Sequence, residues 1–303
     1  MTPKERLEKQ LKYCGIDKYH SNGFKGKGIT ILNHEYGGDH ANMTSGILRE
    51  VAPEVTIIGA NVGASFRSGK LMYYNFTIDG VKYTPEEMYE KFKPDIMSVS
   101  FSGDNNRHLL EEKLIPLQEK GLVIVNSAGN VGSNGVTSKY KNIDLTIGAV
   151  GFLNDGDIPS LMNYSSYDKD NLEVDFVGFL GSSGSGTSAS CPFVAGQIAL
   201  IMQKYGKMKQ QELKQFLIKC ARDVGDKGVD NKYGYGVIIM PEGDVEMIKF
   251  TDTNGHWAEK DISKAVESGI LKGYLDGTFK PNNAITRAEM SVIINRILER
   301  CYE

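Results

Sequence analysis

Short apolar runs alternate with amphipathic stretches along the first 240 or so residues of the chain. Ile29-Thr30-Ile31-Leu32, Val55-Thr56-Ile57-Ile58, the run from Asp95 to Ser100, Leu122-Val123-Ile124-Val125 and Leu145-Thr146-Ile147 are short and β-branched, as buried strands are. Helical patterns such as Leu109 to Lys120 lie between them. Strands alternating with helices predict an α/β fold, a three-layer architecture with a central parallel sheet covered on both faces. In such folds chemistry gathers at the carboxyl ends of the strands. Ahead of the first strand, Thr2-Pro3 opens a helix with Leu7 and Leu11 on one face, so residues 1–24 are expected to form a helical extension and residues 25–243 the main domain. The pattern changes near Pro241-Glu242-Gly243. Within residues 249–303 one helix carries Ala258, Ile262, Ala265 and Val266 on a face. A turn-rich link follows. Thr286 and Glu289 then stand at capping-box spacing before a second helix bearing Met290, Ile293, Ile294 and Ile297.

Composition narrows the classes. The 303 residues are 40% hydrophobic and 24% charged, with a net charge of −3, an ordinary globular balance that gives no reason to expect nucleic acid as a partner. No apolar run reaches membrane-spanning length. The first residues lack an apolar h-region, which predicts no secretory signal and cytoplasmic synthesis, with wall association only after release, as for a prophage product. Cys14, Cys191, Cys220 and Cys301 show no paired spacing and are expected to be reduced thiols. No acidic cluster has calcium-loop spacing, so neither a metal nor a cofactor is expected.

The candidate chemistry starts at Gly186-Thr187-Ser188-Ala189-Ser190-Cys191-Pro192-Phe193-Val194-Ala195-Gly196, where a Gly/Ser-rich loop meets an apolar helix pattern. A serine at a helix start has backbone N–H groups and the positive end of the helix dipole beside it, which favour negative charge on an attacked carbonyl. The run resembles the nucleophile motif of the subtilisin-like serine proteases. The resemblance extends to His40, with Gly46 and Val51-Ala52-Pro53-Glu54 downstream. It includes Ser127-Ala128-Gly129-Asn130 after a buried strand, Ser98 to Gly103, Asn163 to Tyr167, and Tyr233-Gly234-Tyr235-Gly236-Val237-Ile238. It implies a serine endopeptidase acting on protein or peptide: Ser188 the nucleophile, His40 the base, Asn130 an oxyanion donor. It also implies that Ser100, Phe101, Ser102, Ser127 and Gly129 meet the substrate.

The acid departs from that pattern. The family's first strand ends in an aspartate, and here Asn33 stands in its place. The segment from Leu32 to His40 is also much shorter than usual. Three readings follow: Asn33 as a weak orienter of His40, Glu35 as a substitute acid, or a catalytically impaired fold used for binding or scaffolding. The module from Phe250 to Leu298, with Phe250-Thr251-Asp252, His256-Trp257-Ala258 and Thr286-Arg287-Ala288-Glu289, resembles a single S-layer homology domain. That resemblance implies a wall-polysaccharide partner, with Arg287 and Trp257 as ligand residues and a homotrimer as the accompanying expectation.

Overall fold

The computed structural model describes residues 1–35, 38–67, 70–101, 107–138, 140, 143–153, 156–243, 250, 252–253, 255–267, 270–271, 273 and 278–301. The chain divides into two units, Met1–Glu242 and Gly243–Glu303.

The first unit is built on one mixed sheet. Its parallel centre comprises β1 (Thr30–Glu35), β2 (Thr56–Arg67), β5 (Ile96–Val99), β6 (Val123–Ser127), β7 (Leu145–Gly151), β9 (Phe176–Gly178) and β11 (Val237–Ile238). Antiparallel strands finish the edges: β3 (Lys70–Ile78) and β4 (Val81–Tyr83) beyond β2, and β10 (Ala221–Arg222) beyond β11. The spatial order is β10-β11-β9-β7-β6-β5-β1-β2-β3-β4, with β8 (Ser160–Leu161) pairing with β7 off this path. The central strands are buried along their whole length, as a sheet covered on both faces demands. The β3–β4 extension was not foreseen, although Lys70–Ile78 is rich in strand-forming Tyr, Phe, Thr and Ile.

Two helices set the layer that matters for chemistry. Helix α3 (Gly38–Val51) packs against α6 (Thr187–Tyr205), which runs through the core and is buried from Ala189 to Met202. A helix buried all round in this way is an interior element. The two helices approach closely at Gly196, where an added Cβ would lie 2.7 Å from Val51 Cβ, so only glycine fits. The other sheet face packs Phe76, Leu32, Met97 and Tyr140 against Met88 of α4 (Pro85–Phe92) and Leu110, Leu114 and Leu117 of α5 (Arg107–Glu119).

The N-terminal helices α1 (Pro3–Cys14) and α2 (Ile16–Ser21) belong to this same unit. Thr2 and Glu5 close a capping box on α1, and Cys14, Ile16 and Tyr19 are buried. Cys14 O accepts from Met240 N at 2.7 Å, and Tyr19 Oη donates to Pro241 O at 2.7 Å, stitching the two ends of the unit together. Helix α7 (Gln210–Cys220) completes the layer next to β11. The described cysteines Cys14, Cys191 and Cys220 are free and buried. No described helix is long and apolar enough to cross a membrane.

In the second unit, Asp252 accepts backbone N–H bonds from Phe279 (2.9 Å) and Lys280 (2.7 Å), closing the link between α8 (Glu259–Glu267) and α9 (Arg287–Cys301). Thr286 and Glu289 form the capping box at the start of α9.

Asp144 bonds to Ser138 and Thr146 in the first unit, and its burial pushes its carboxyl up to about 7, reinforced by the charge of Asp175, which pairs with Lys214. The folded chain holds a proton there that the unfolded chain releases near its ordinary value of 3.8. This group therefore stabilises the fold fully below that value and loses its contribution as pH rises through about 7. Asp144→Asn should flatten the decline in melting temperature over that window; an unchanged slope would contradict it.

Candidate active site

Ser188 is the second residue of α6, where the first-turn N–H groups have no intrahelical acceptor. Gly186, immediately before the helix, has φ +72°, a conformation that costs glycine little. Ser190 Oγ donates to Thr187 O at 3.0 Å. Pro192 has no N–H to return to the Ser188 carbonyl four residues back. Ser188 is half-buried, and its Oγ donates to Ser100 O at 2.9 Å, just past the end of β5. Beneath it Cys191 is wholly buried against Val99 O and Val125 O, both at 3.3 Å. Burial pushes that thiol up to about 12, an inert packing group.

His40 lies in the first turn of α3. Its Nδ1 bonds to Glu35 Oε2 at 2.7 Å. Glu35 is the last residue of β1, and its side chain is 3% exposed against 45% for His40. Burial raises the Glu35 carboxyl above the ordinary carboxylate range, while the adjacent His40 pulls it back down. Asn33 is on the same face, two residues earlier. Its Nδ2 donates to Thr44 Oγ1 and Ser45 Oγ, each at 2.9 Å, one turn beyond His40 on α3. The expectation that Asn33 orients His40 is thus corrected: Asn33 fastens the helix, and Glu35 holds the histidine. The reason is geometric. The short connection from β1 brings the start of α3 level with the strand end, and the two-residue period carries the next same-face side chain, Glu35, to it. The intervening His34 points to the opposite face, against Phe76, Phe101 and Tyr140.

Asn130 follows β6. Its Oδ1 accepts from Thr187 N at 2.9 Å and from Thr187 Oγ1 at 3.2 Å, which fixes the amide plane and leaves Nδ2 as a donor beside Gly186. Among the described residues, neither Nδ2 nor the Ser188 N–H has a protein acceptor. Tyr164 Oη accepts from Gly186 N at 3.1 Å, and Ser166 holds Val131 N and Gly129 O, so the Asn163-to-Tyr167 turn braces both loops.

The expected substrate-contacting residues separate. The Ser100 carbonyl lies at Ser188, and Phe101 is half-buried against His34. Ser127 is 2% exposed. Gly129 N donates to Thr187 Oγ1 and its carbonyl accepts from Ser166 N, so both its polar groups are used within the chain. Its φ of +106° and a Cβ position 1.8 Å from Thr137 Oγ1 demand glycine. These two residues shape the loop from inside. Ser102 falls outside the described residues. In the second unit Trp257 is 88% exposed beside His256, and Arg287 is exposed at the start of α9 with no ion pair among the described residues.

Sequence reasoning missed a pocket of about 400 Å³ beside Glu35, lined also by Asn61 and Asp79. No motif marks it, since the β2–β3–β4 extension builds its far wall.

Asn33→Asp would replace two donated bonds and put a second carboxylate near Glu35. It should cost roughly 1–3 kcal/mol of stability, read by denaturant melting, with no gain in peptidase turnover. A rise in kcat would restore Asn33 as the partner of His40.

Comparisons with known proteins bear on both units. Residues 249–291 match the S-layer homology domain model. That module is 51% identical over 57 residues to Cell surface glycoprotein 1 of Acetivibrio thermocellus, 19% of this chain and 2% of that protein. Subtilisin DY of Bacillus licheniformis is 27% identical over 213 residues, 64% of this chain and 70% of that protein. Fervidolysin from Fervidobacterium pennivorans, described as a keratinolytic enzyme related to subtilisin, superposes with TM-score 0.59 at 17% identity, over 76% of this chain and 44% of that one. The subtilase family model matches residues 36–236, more than half of the chain, beginning just past β1, and the protein is a member of the subtilase family carrying an S-layer homology domain.

Proposed function

We propose that this chain is a serine endopeptidase whose triad is Ser188, His40 and Glu35. The observation that carries the reading is the 2.7 Å bond from His40 Nδ1 to a buried carboxylate, which supplies the acid missing at Asn33. In this reading His40 Nε2 takes the Ser188 proton as Oγ attacks the scissile carbonyl, and later gives it to the leaving amine. Glu35 holds the donating tautomer and stabilises the imidazolium. Asn130 Nδ2 and the Ser188 N–H receive the developing oxyanion, aided by the start of α6. The Ser188 hydroxyl now rests on the Ser100 carbonyl and turns to His40 when substrate displaces it.

That resting contact also favours a second reading, a subtilase fold retained as a binding or scaffolding protein. A fluorophosphonate probe separates the two. Labelling that disappears in Ser188→Ala supports the peptidase; no labelling of the wild type supports the binding protein. Glu35→Gln should lower kcat/KM by up to about 10⁴ with little effect on melting temperature, the scale of losing a triad acid. Unchanged kinetics would remove Glu35 from the triad.

The S-layer homology module supports cell-surface association, and cell-wall polysaccharide is its proposed partner. Arg287 at a capped helix start suits a carboxylate, and the exposed Trp257 suits a sugar face. Met290, Ile294 and Ile297 are 41–46% exposed along α9, which supports assembly with further modules, as in a homotrimer. Wild type should sediment with purified wall polymer and Arg287→Ala should not. Equal retention would leave the module an assembly element.

A further inference from the structure

The connection from β9 to α6 reads Phe179-Leu180-Gly181-Ser182-Ser183-Gly184-Ser185-Gly186, mostly glycine and serine. Such a segment has much conformational freedom to lose on ordering. It nevertheless delivers Ser188, at a helix start that has no side-chain cap. Its order comes from α3. Both carboxylate oxygens of Glu50 accept from one residue of the connection: Oε2 from Ser182 N at 3.0 Å, and Oε1 from Ser182 Oγ. Glycines let the chain close on that seat. At Gly181, with φ +69°, an added Cβ would lie 2.5 Å from Glu50 Oε2 and 2.9 Å from Ile47 Cγ1. At Gly184 it would lie 2.8 Å from Ile47 Cδ1 and 2.5 Å from Ala189 Cβ in the first turn of α6. Ile47 stands two turns along α3 from His40, and Glu50 is its neighbour one turn on. The helix that begins at the base therefore seats the loop that carries the nucleophile.

We propose that Glu50 is a positioning residue for the nucleophile: its carboxylate, clamped on Ser182, holds the loop against α3 and so sets the reach between Ser188 at the start of α6 and His40 at the start of α3. The inference rests on the peptidase reading. A carboxylate suits the task, because its two oxygens match the two donors of a single serine and its charge strengthens both bonds. Asn130 fastens Thr187 N at 2.9 Å and Tyr164 fastens Gly186 N at 3.1 Å, both at the α6 end of the connection. Glu50 supplies the anchor upstream of them. Acyl transfer is sensitive to this placement, since a small displacement of an attacking group from its productive geometry lowers the rate without touching the chemistry.

Glu50→Gln and Ser182→Ala test the proposal on the full chain. Active sites are counted by titration with a fluorophosphonate, and kcat is expressed per titrated Ser188. A misfolded fraction then lowers the count and not the rate. In either variant kcat per site should fall about tenfold with KM unchanged. The double variant should be no slower than the slower single one, because both changes act through one contact. Ser182→Ala keeps the backbone bond to Glu50 and carries the kinetics alone if Glu50→Gln does not fold. Hydrogen exchange gives a second readout that needs no activity: the amides of residues 181–187 should exchange about tenfold faster in Glu50→Gln, and those of β1 at the wild-type rate. Unchanged kcat per site, or losses that add in the double variant, would overturn the positioning role and leave the peptidase standing. Unchanged exchange in the loop would overturn the clamp itself. A wild type that the probe never labels overturns the peptidase reading and the positioning role with it; faster loop exchange would then leave Glu50 a structural clamp.

Discussion

The bond between His40 and the buried carboxylate of Glu35 is the interaction on which the site depends. A carboxylate 3% exposed at the end of β1 is expensive unless a partner compensates it, and His40 is that partner. The exchange works in both directions, because the same bond holds the imidazole by its Nδ1. Everything nearby serves this register. Asn33 anchors α3 one turn further along, Gly196 lets α6 lie close to α3, and α6 carries Ser188 at its start.

The fold was largely legible in the sequence because its signals are local. Apolar runs marked the central strands, and the Gly186-to-Gly196 stretch marked both the loop and the buried helix. The tight glycines carry their own reason: Gly186 and Gly129 have positive φ, and Gly196 touches Val51. The acid was not decided by the sequence, since it depends on how far a shortened connection lets α3 slide along β1. Motif alignment places Asn33 at the aspartate, whereas strand period and loop length place Glu35 at the histidine. The family match itself begins at residue 36, past the strand where the departure occurs. For Ser127 and Gly129, motif position does not reveal that one is buried and that the other spends its polar groups on Thr187 and Ser166.

The β2–β3–β4 extension changes the surroundings of the acid as well as the sheet edge. It walls a pocket lined in part by Glu35, the partner of His40. The second unit is separate chemistry: its capping box and the Asp252 clasp order a small helical module without involving any of these residues.

The central claim is that Glu35 is the partner of His40. Proton NMR of the His40 Nδ1–H at low temperature tests it most directly. A strongly deshielded resonance, assigned by its loss in His40→Ala, should be present in wild type and in Asn33→Ala, and should move upfield or vanish in Glu35→Gln. A resonance unaffected by Glu35→Gln but lost in Asn33→Ala would contradict the account.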